Sequence, residues 1–274
     1  MHAKMTAEKL LKRKREGKKI TALTAYDYPF AKMVDEAGVD IILVGDSLGM
    51  VFRGEDNTLK VTVEEMAYHT RAVRKGVNNA MLIADMPFLS CHLGVEEAVR
   101  AAGSLISEGA EAVKVEGASG IIDVVKRLVE AGIPVMGHIG LTPQSIHKLG
   151  GYKIQGKRSE GARKIISDAD LLEKAGAFAT VLECVPEDLA SIITGKLKIP
   201  VIGIGAGPHC DGQILVTHDL LGMSADFAPK FVKKYADLNQ VAHDALAKYI
   251  EETESGLFPD EEHSYASPKR LKAI

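Results

Sequence analysis

Asp46, Asp85, Glu116, His138 and Glu183 share one placement: each stands at or just past the carboxyl end of a short apolar run. The runs are Ile41-Ile42-Leu43-Val44, Met81-Leu82-Ile83-Ala84, Val113-Lys114-Val115, Val135-Met136-Gly137 and Val181-Leu182. A charge in that position must point into a polar site rather than the core. Asp46, Asp85 and Glu116 can converge on one hard cation. Oxygen donors without cysteine suit magnesium, which keeps several waters and binds through one or two carboxylates plus substrate. Glu183 is a candidate general base, because apolar surroundings disfavour the charged form of an acid. Lys114 is either a partner for a substrate carboxylate or the counter-ion of Glu116. His138 can hydrogen-bond a developing enolate or sit as a satisfied core histidine. Each acid alone can instead cap the helix that follows it. Taken together they suit a divalent metal chelated by a 2-oxo acid, with a carboxylate base removing the proton on the adjacent carbon. Aldol additions, lyases and mutases all remain open.

These groups form one site only if their strands lie side by side. Unbroken apolar runs, many of them β-branched, read as strands of a parallel sheet buried on both faces. About eight such runs alternate with helical stretches, which implies right-handed βαβ units. The number of units favours a (β/α)8 TIM barrel, in which catalytic groups come from the carboxyl ends of several strands. One domain spanning residues 1–274 is expected, with a short first helix, a long helix over Ala228–Glu252 and a polar tail. Thr62 with Glu65 has the spacing of a capping box. Gly38, Gly76, Gly109, Gly132 and Gly176 each follow a helix, where a left-handed cap is needed. Lys114 and Glu116 are two apart and must share a face, at the interior of the barrel mouth. Leu141–Ser159 reads as a long loop carrying Lys148, Lys153, Lys157 and Arg158, as a lid, a solvated face or a contact for an anionic cosubstrate. Gly203-Ile204-Gly205-Ala206-Gly207 is a turn that grips phosphate or simply allows close packing. The GxGxxG fingerprint is absent after the first strand, where Tyr26-Asp27-Tyr28-Pro29 stands instead.

The bulk numbers exclude several classes. A net charge of -3 with mixed signs gives no general affinity for nucleic acid or acidic membranes. No apolar run reaches the roughly 18 residues of a membrane span. Cys91, Cys184 and Cys210 are sparse and odd in number, which argues against a disulfide framework and fits a reducing cytoplasm.

Longer motifs surround the candidate residues. They are Leu43-Val44-Gly45-Asp46-Ser47-Leu48-Gly49-Met50-Val51, Glu65-Met66-Ala67-Tyr68-His69-Thr70 and Ala84-Asp85-Met86-Pro87-Phe88. Gly150-Gly151-Tyr152-Lys153-Ile154-Gln155-Gly156-Lys157 follows, then Ile202-Gly203-Ile204-Gly205-Ala206-Gly207 with Cys210-Asp211-Gly212-Gln213. In this order, from about Thr21 to His263, the chain closely resembles the ketopantoate hydroxymethyltransferase family. The resemblance implies a (β/α)8 barrel that moves a one-carbon unit from 5,10-methylenetetrahydrofolate to 3-methyl-2-oxobutanoate. The product would be 2-dehydropantoate, on the route to pantothenate and coenzyme A. It implies Asp46, Asp85 and Glu116 around one Mg2+ per subunit, Ser47 and Lys114 holding the oxo acid with Asp46 and Asp85, and Glu183 as proton acceptor. A cytoplasmic homodecamer, with no nucleic-acid or membrane partner, is implied as well.

Overall fold

A computed structural model describes residues 4–223 and 229–266. The chain divides into two compact units, Met1–Thr217 with Pro229–Val232, and His218–Ala228 with Lys233–Ile274. The first holds eight strands: β1 (Ile20–Thr24), β2 (Ile41–Val44), β3 (Met81–Asp85), β4 (Ala112–Glu116), β5 (Val135–Gly140), β6 (Ala179–Glu183), β7 (Val201–Ile204) and β8 (Gly212–Leu215). They close into a barrel in chain order, all parallel, with β8 paired to β1. The (β/α)8 expectation stands.

Helix α1 (Ala7–Arg15) precedes the barrel, and α2 (Tyr28–Glu36) follows β1. After β2 come the short α3 (Leu48–Val51) and α4 (Val63–Arg74); α5 (Val95–Ser107) and α6 (Ile122–Glu130) follow β3 and β4. A 3-10 turn, the short α7 (Ile146–Leu149) and α8 (Ser159–Lys174) follow β5, and α9 (Glu187–Lys196) follows β6. A turn links β7 to β8, α10 (Thr217–Leu220) comes next, and α11 (Leu238–Glu254) belongs to the second unit. The expected loop over 141–159 therefore contains two short helical turns, and α8 starts at Ser159.

Strand parity explains how the barrel places chemistry. The interior is packed by Ile20, Ala22, Ile41, Leu43, Met81, Ile83, Ala112, Met136, Ala179, Val181, Ile202 and Ile214, with Leu10 of α1 in the same cluster. Continuing these rows two residues at a time toward the carboxyl ends reaches Asp85, Lys114 and Glu116, His138, and Glu183. The same inward face is thus apolar at one end and polar at the mouth. Gly212 lets β8 close against β1, since a Cβ there would collide with the Ile20 carbonyl oxygen.

Some local expectations hold and others need correction. Thr62 and Glu65 form the capping box, with Glu65 N donating to Thr62 Oγ1 at 3.2 Å and Thr62 N to Glu65 Oε2 at 2.9 Å. Gly38, Gly109, Gly132 and Gly176 have positive φ, but Gly76 does not. Gly76 is needed for close approach: a Cβ would stand 2.7 Å from Lys32 N and 2.8 Å from Tyr28 O of α2. The last helix starts at Leu238, where the Asp237 side chain caps it by accepting from Gln240 N; Ala228, its expected start, lies outside the described residues. So does the end of the expected tail, residues 267–274. All three cysteines are free, and among the described residues no helix is long and apolar enough to cross a membrane.

Candidate active site

Parallel register brings the mouth residues together. Asp85 is level with Lys114, Glu116 with His138, and Gly140 with Glu183. Lys114 lies at the centre, only 4% exposed. Its Nζ is 2.9 Å from Asp85 Oδ1, 3.1 Å from His138 Nδ1 and 3.9 Å from Glu116 Oε1. His138 continues the chain of contacts, with Nδ1 3.3 Å from Glu116 Oε1 and Nε2 3.1 Å from Glu183 Oε2. Asp46 joins through its backbone N–H, which donates to Asp85 Oδ2 at 3.0 Å. Asp46, Asp85, Glu116 and Lys114 are all buried, and the Asp46 carboxyl is near enough to feel the charges of the other three.

Ser47 is held from behind. Its Oγ lies 2.8 Å from the hydroxyl of Tyr26, which is buried at the end of β1, and His69 Nδ1 lies 2.6 Å from the Tyr26 carbonyl. Asp27, next to Tyr26, shows the alternative fate of an acid past a strand: it caps α2 by accepting from Phe30 N at 2.8 Å. Asp46 and Asp85 do not cap, and their carboxyl groups turn inward instead.

Burial and charge set the protonation pattern. Burial raises Asp46 well above the usual carboxylate range, and Asp85 and Glu116 add repulsion. Burial also raises Asp85, against the pull of Lys114. Glu116 is the exception: burial would raise it, but His138, Lys114 and the Gln144 N–H lower it. Burial opposes the Lys114 charge, yet Asp85, Glu116 and Asp46 outweigh it and keep the ammonium protonated. His138 is pushed up to about 9, because Glu116 and Glu183 outweigh burial and the Lys114 charge. Glu183 is thus paired with an imidazolium at neutral pH, and the apolar surroundings expected for it are corrected. A ring nitrogen from His138, two residues before the end of the neighbouring strand β5, reaches it.

That pairing has a sign. His138 titrates higher in the folded chain than its ordinary 6.5, so its stabilisation is full below that value and lost as pH rises through about 9. Denaturation midpoints of the metal-free protein should fall between about pH 7 and about pH 9.5, and His138→Gln should flatten the fall. Parallel losses in both proteins would contradict the pairing.

The donor set fits a hard cation in chemistry. Asp85 Oδ1 and Glu116 Oε1 are enclosed and accept no aligned hydrogen bond. With Lys114 and His138 protonated, two cations face the carboxyl groups of Asp46, Asp85, Glu116 and Glu183, and Asp46 is pushed furthest toward its neutral form. A divalent ion would reverse that push. Among the described residues no three acid, histidine or cysteine side chains are placed so that together they could hold a metal ion, so a bound ion would need waters or substrate to complete its shell.

Around the mouth, residues 150–158 form a strap. Gln155 N–H donates to the Cys184 carbonyl beside Glu183 at 2.8 Å, and Tyr152 OH reaches Met50 Sδ of α3 at 3.6 Å. Lys148, Lys153, Lys157 and Arg158 are exposed, and residues 141–159 contain no acid. The Gly203–Gly207 turn is close-packed: a Cβ on Gly205 would stand 2.8 Å from the Phe231 ring, and one on Gly207 2.6 Å from Glu187 Cβ. The neighbouring Glu187 carboxylate disfavours a phosphate there.

Sequence reasoning missed Gln144, Tyr26 and His69. Gln144 is a neutral residue in a stretch read as loop, and nothing in its type marks it. Tyr26 was visible as the aromatic residue closing the first strand, and His69 as part of a motif.

Comparison with known proteins gives a consistent result. A family model described as ketopantoate hydroxymethyltransferase matches residues 4–261. The 3-methyl-2-oxobutanoate hydroxymethyltransferase of Thermoanaerobacter sp. (strain X514) is 56% identical over 271 residues, covering 98% of this chain and 99% of the relative. That of Clostridium botulinum (strain Alaska E43 / Type E3) is 58% identical over 253 residues, covering 92% of each. Among solved structures, phosphonopyruvate hydrolase in complex with oxalate and Mg++ aligns with a TM-score of 0.62 at 13% identity, over 98% of this chain and 94% of that one. A 2,3-dimethylmalate lyase aligns with a TM-score of 0.59 at 16% identity, over 97% and 93%. These two likenesses concern the fold.

Proposed function

The chain belongs to the ketopantoate hydroxymethyltransferase family, transferases of pantothenate synthesis, and from that premise we propose a reaction for the barrel mouth. In it, C3 of 3-methyl-2-oxobutanoate is deprotonated and added to the methylene carbon of 5,10-methylenetetrahydrofolate. The C3–H bond and the two bonds from the methylene carbon to the folate nitrogens break, a C–C bond and a C–O bond form with water supplying the oxygen, and tetrahydrofolate departs with a proton on each of those nitrogens. The observation that carries this reading is the continuous contact chain Glu183–His138–Lys114–Asp85–Asp46 within one enclosed mouth.

Asp46, Asp85 and Glu116 are the residues that would hold Mg2+, which when bound supplies Lewis-acid polarisation of the keto oxygen. Lys114 faces the oxo acid's carboxylate with a fixed positive charge. Ser47, aimed by Tyr26, offers its hydroxyl to the same substrate. Glu183 accepts the C3 proton at its carboxylate, and His138, with Nε2 3.1 Å from that carboxylate, places a positive charge beside the developing enolate. The strap, basic and without acids, supports a docking place for the anionic tail of the folate.

Homo-oligomerisation belongs to the same proposal. None of the residues of α11 is buried, and Val241, Leu246, Tyr249 and Ile250 are exposed on it, an apolar surface of the kind that a subunit contact covers. A cytoplasmic setting agrees with three free cysteines.

The test is to incubate the protein with Mg2+, 3-methyl-2-oxobutanoate, formaldehyde and tetrahydrofolate, and to measure 2-dehydropantoate by mass spectrometry. Product that depends on tetrahydrofolate is expected. Equal product without the folate, or none with it, would overturn the donor assignment.

A further inference from the structure

Gln144 follows β5 and touches the ends of the three preceding strands. Its side-chain Nε2 donates to Asp46 Oδ2 at 2.7 Å and to the Met86 carbonyl at 2.9 Å. Its backbone N–H donates to Glu116 Oε2 at 2.9 Å. Asp46 lies just past β2, Met86 follows β3 and Glu116 ends β4. One residue therefore ties four consecutive strand ends together.

The amide has a single workable orientation. Turning it over would set its oxygen against two acceptors, a carboxylate and a carbonyl, while both of its protons are satisfied as it stands. The result is a sorting of oxygens. Asp46 Oδ2 and Glu116 Oε2 are each taken by a Gln144 N–H, just as Asp85 Oδ2 is taken by the Asp46 N–H. Asp85 Oδ1 and Glu116 Oε1 accept no aligned hydrogen bond and instead face charged groups, Lys114 Nζ at 2.9 and 3.9 Å and, for Glu116, His138 Nδ1 at 3.3 Å. Carboxylates fixed by one oxygen present the other at a set angle, which is how outer partners tune a cation site.

We propose that Gln144 is a positioning residue: by holding one oxygen of Asp46 and one of Glu116, it presents the remaining oxygens of the acid cluster to a divalent cation. The inference rests on the reading of this cluster as a cation site. It acts through Asp46 and Glu116, and no contact of Gln144 with substrate is required.

The test is calorimetric titration of metal-free protein with Mg2+ alone, for wild type, Gln144→Met and Gln144→Asn, beside thermal melts in chelator. Methionine keeps the reach and the backbone N–H but removes both amide protons; asparagine keeps the amide but is too short to reach both acceptors. Both variants are expected to bind Mg2+ about 10- to 100-fold more weakly, the usual effect of losing an outer partner. A merely structural role would lower the melting temperature and leave the affinity of the folded protein unchanged. Equal affinity in wild type and Gln144→Met would overturn the inference while leaving the cation site in place. Absence of binding by the wild type would remove the cation reading itself, and the role of Gln144 with it.

Discussion

Lys114→Met is expected to destabilise the metal-free protein by about 3–5 kcal/mol, the usual cost of removing one partner from a buried ion cluster. Lys114 is the cation nearest Asp85, at 2.9 Å, and it faces Glu116 and His138 as well. Methionine fills much the same volume, so the loss is of charge rather than of packing. Among the described residues, His138 would then be the cation left in direct contact with the cluster. Part of the strain can be relieved by protonating the acids, so the deficit should grow as pH rises and they must ionise. Mg2+, held by the cluster as proposed, would favour the folded state over the unfolded chain and should restore part of the stability. Urea denaturation with and without Mg2+ measures both effects. Affinity for 3-methyl-2-oxobutanoate should fall roughly 10- to 100-fold, the worth of a hydrogen bond to a charged group. An unchanged urea midpoint would contradict the central position given to this ammonium.

Glu183→Gln should be the largest loss of activity. The amide has the size of the carboxylate and keeps an oxygen near His138 Nε2, which lies 3.1 Å from the acid. It cannot take a proton. Turnover should drop about 10²- to 10⁴-fold, the range for a positioned base, with little change in oxo-acid affinity. Such a split marks an interaction made in the transition state rather than in substrate binding. Loss of oxo-acid affinity with turnover retained would assign Glu183 to binding instead.

How much of this was legible in the sequence depended on periodicity. The interior rows advance by two residues, so Asp85, Glu116 and Glu183 could be placed at the mouth from their own strands. Lys114 followed by the same parity, since an ammonium two residues before Glu116 has to share its face. Pairing across strands was not legible. His138 reaches Glu183 because β5 and β6 are neighbours in register, and that register is a property of closure. For the same reason the surroundings of Glu183 were misread as apolar. Gln144 was invisible because a glutamine in a loop carries neither charge nor periodicity; its importance comes from where three other strands end. Gly76 was misread because a glycine after a helix serves equally for a left-handed cap or for close approach, and only the nearness of α2 decides.

The central claim is that the mouth makes an enolate from a 2-oxo acid with Glu183 as base. Deuterium wash-in at C3 of 3-methyl-2-oxobutanoate, in D2O with Mg2+ and no folate, tests it most directly. Rapid exchange is expected with the wild-type protein, and exchange near background with Glu183→Gln under the same conditions. Exchange at the wild-type rate in that variant would contradict it.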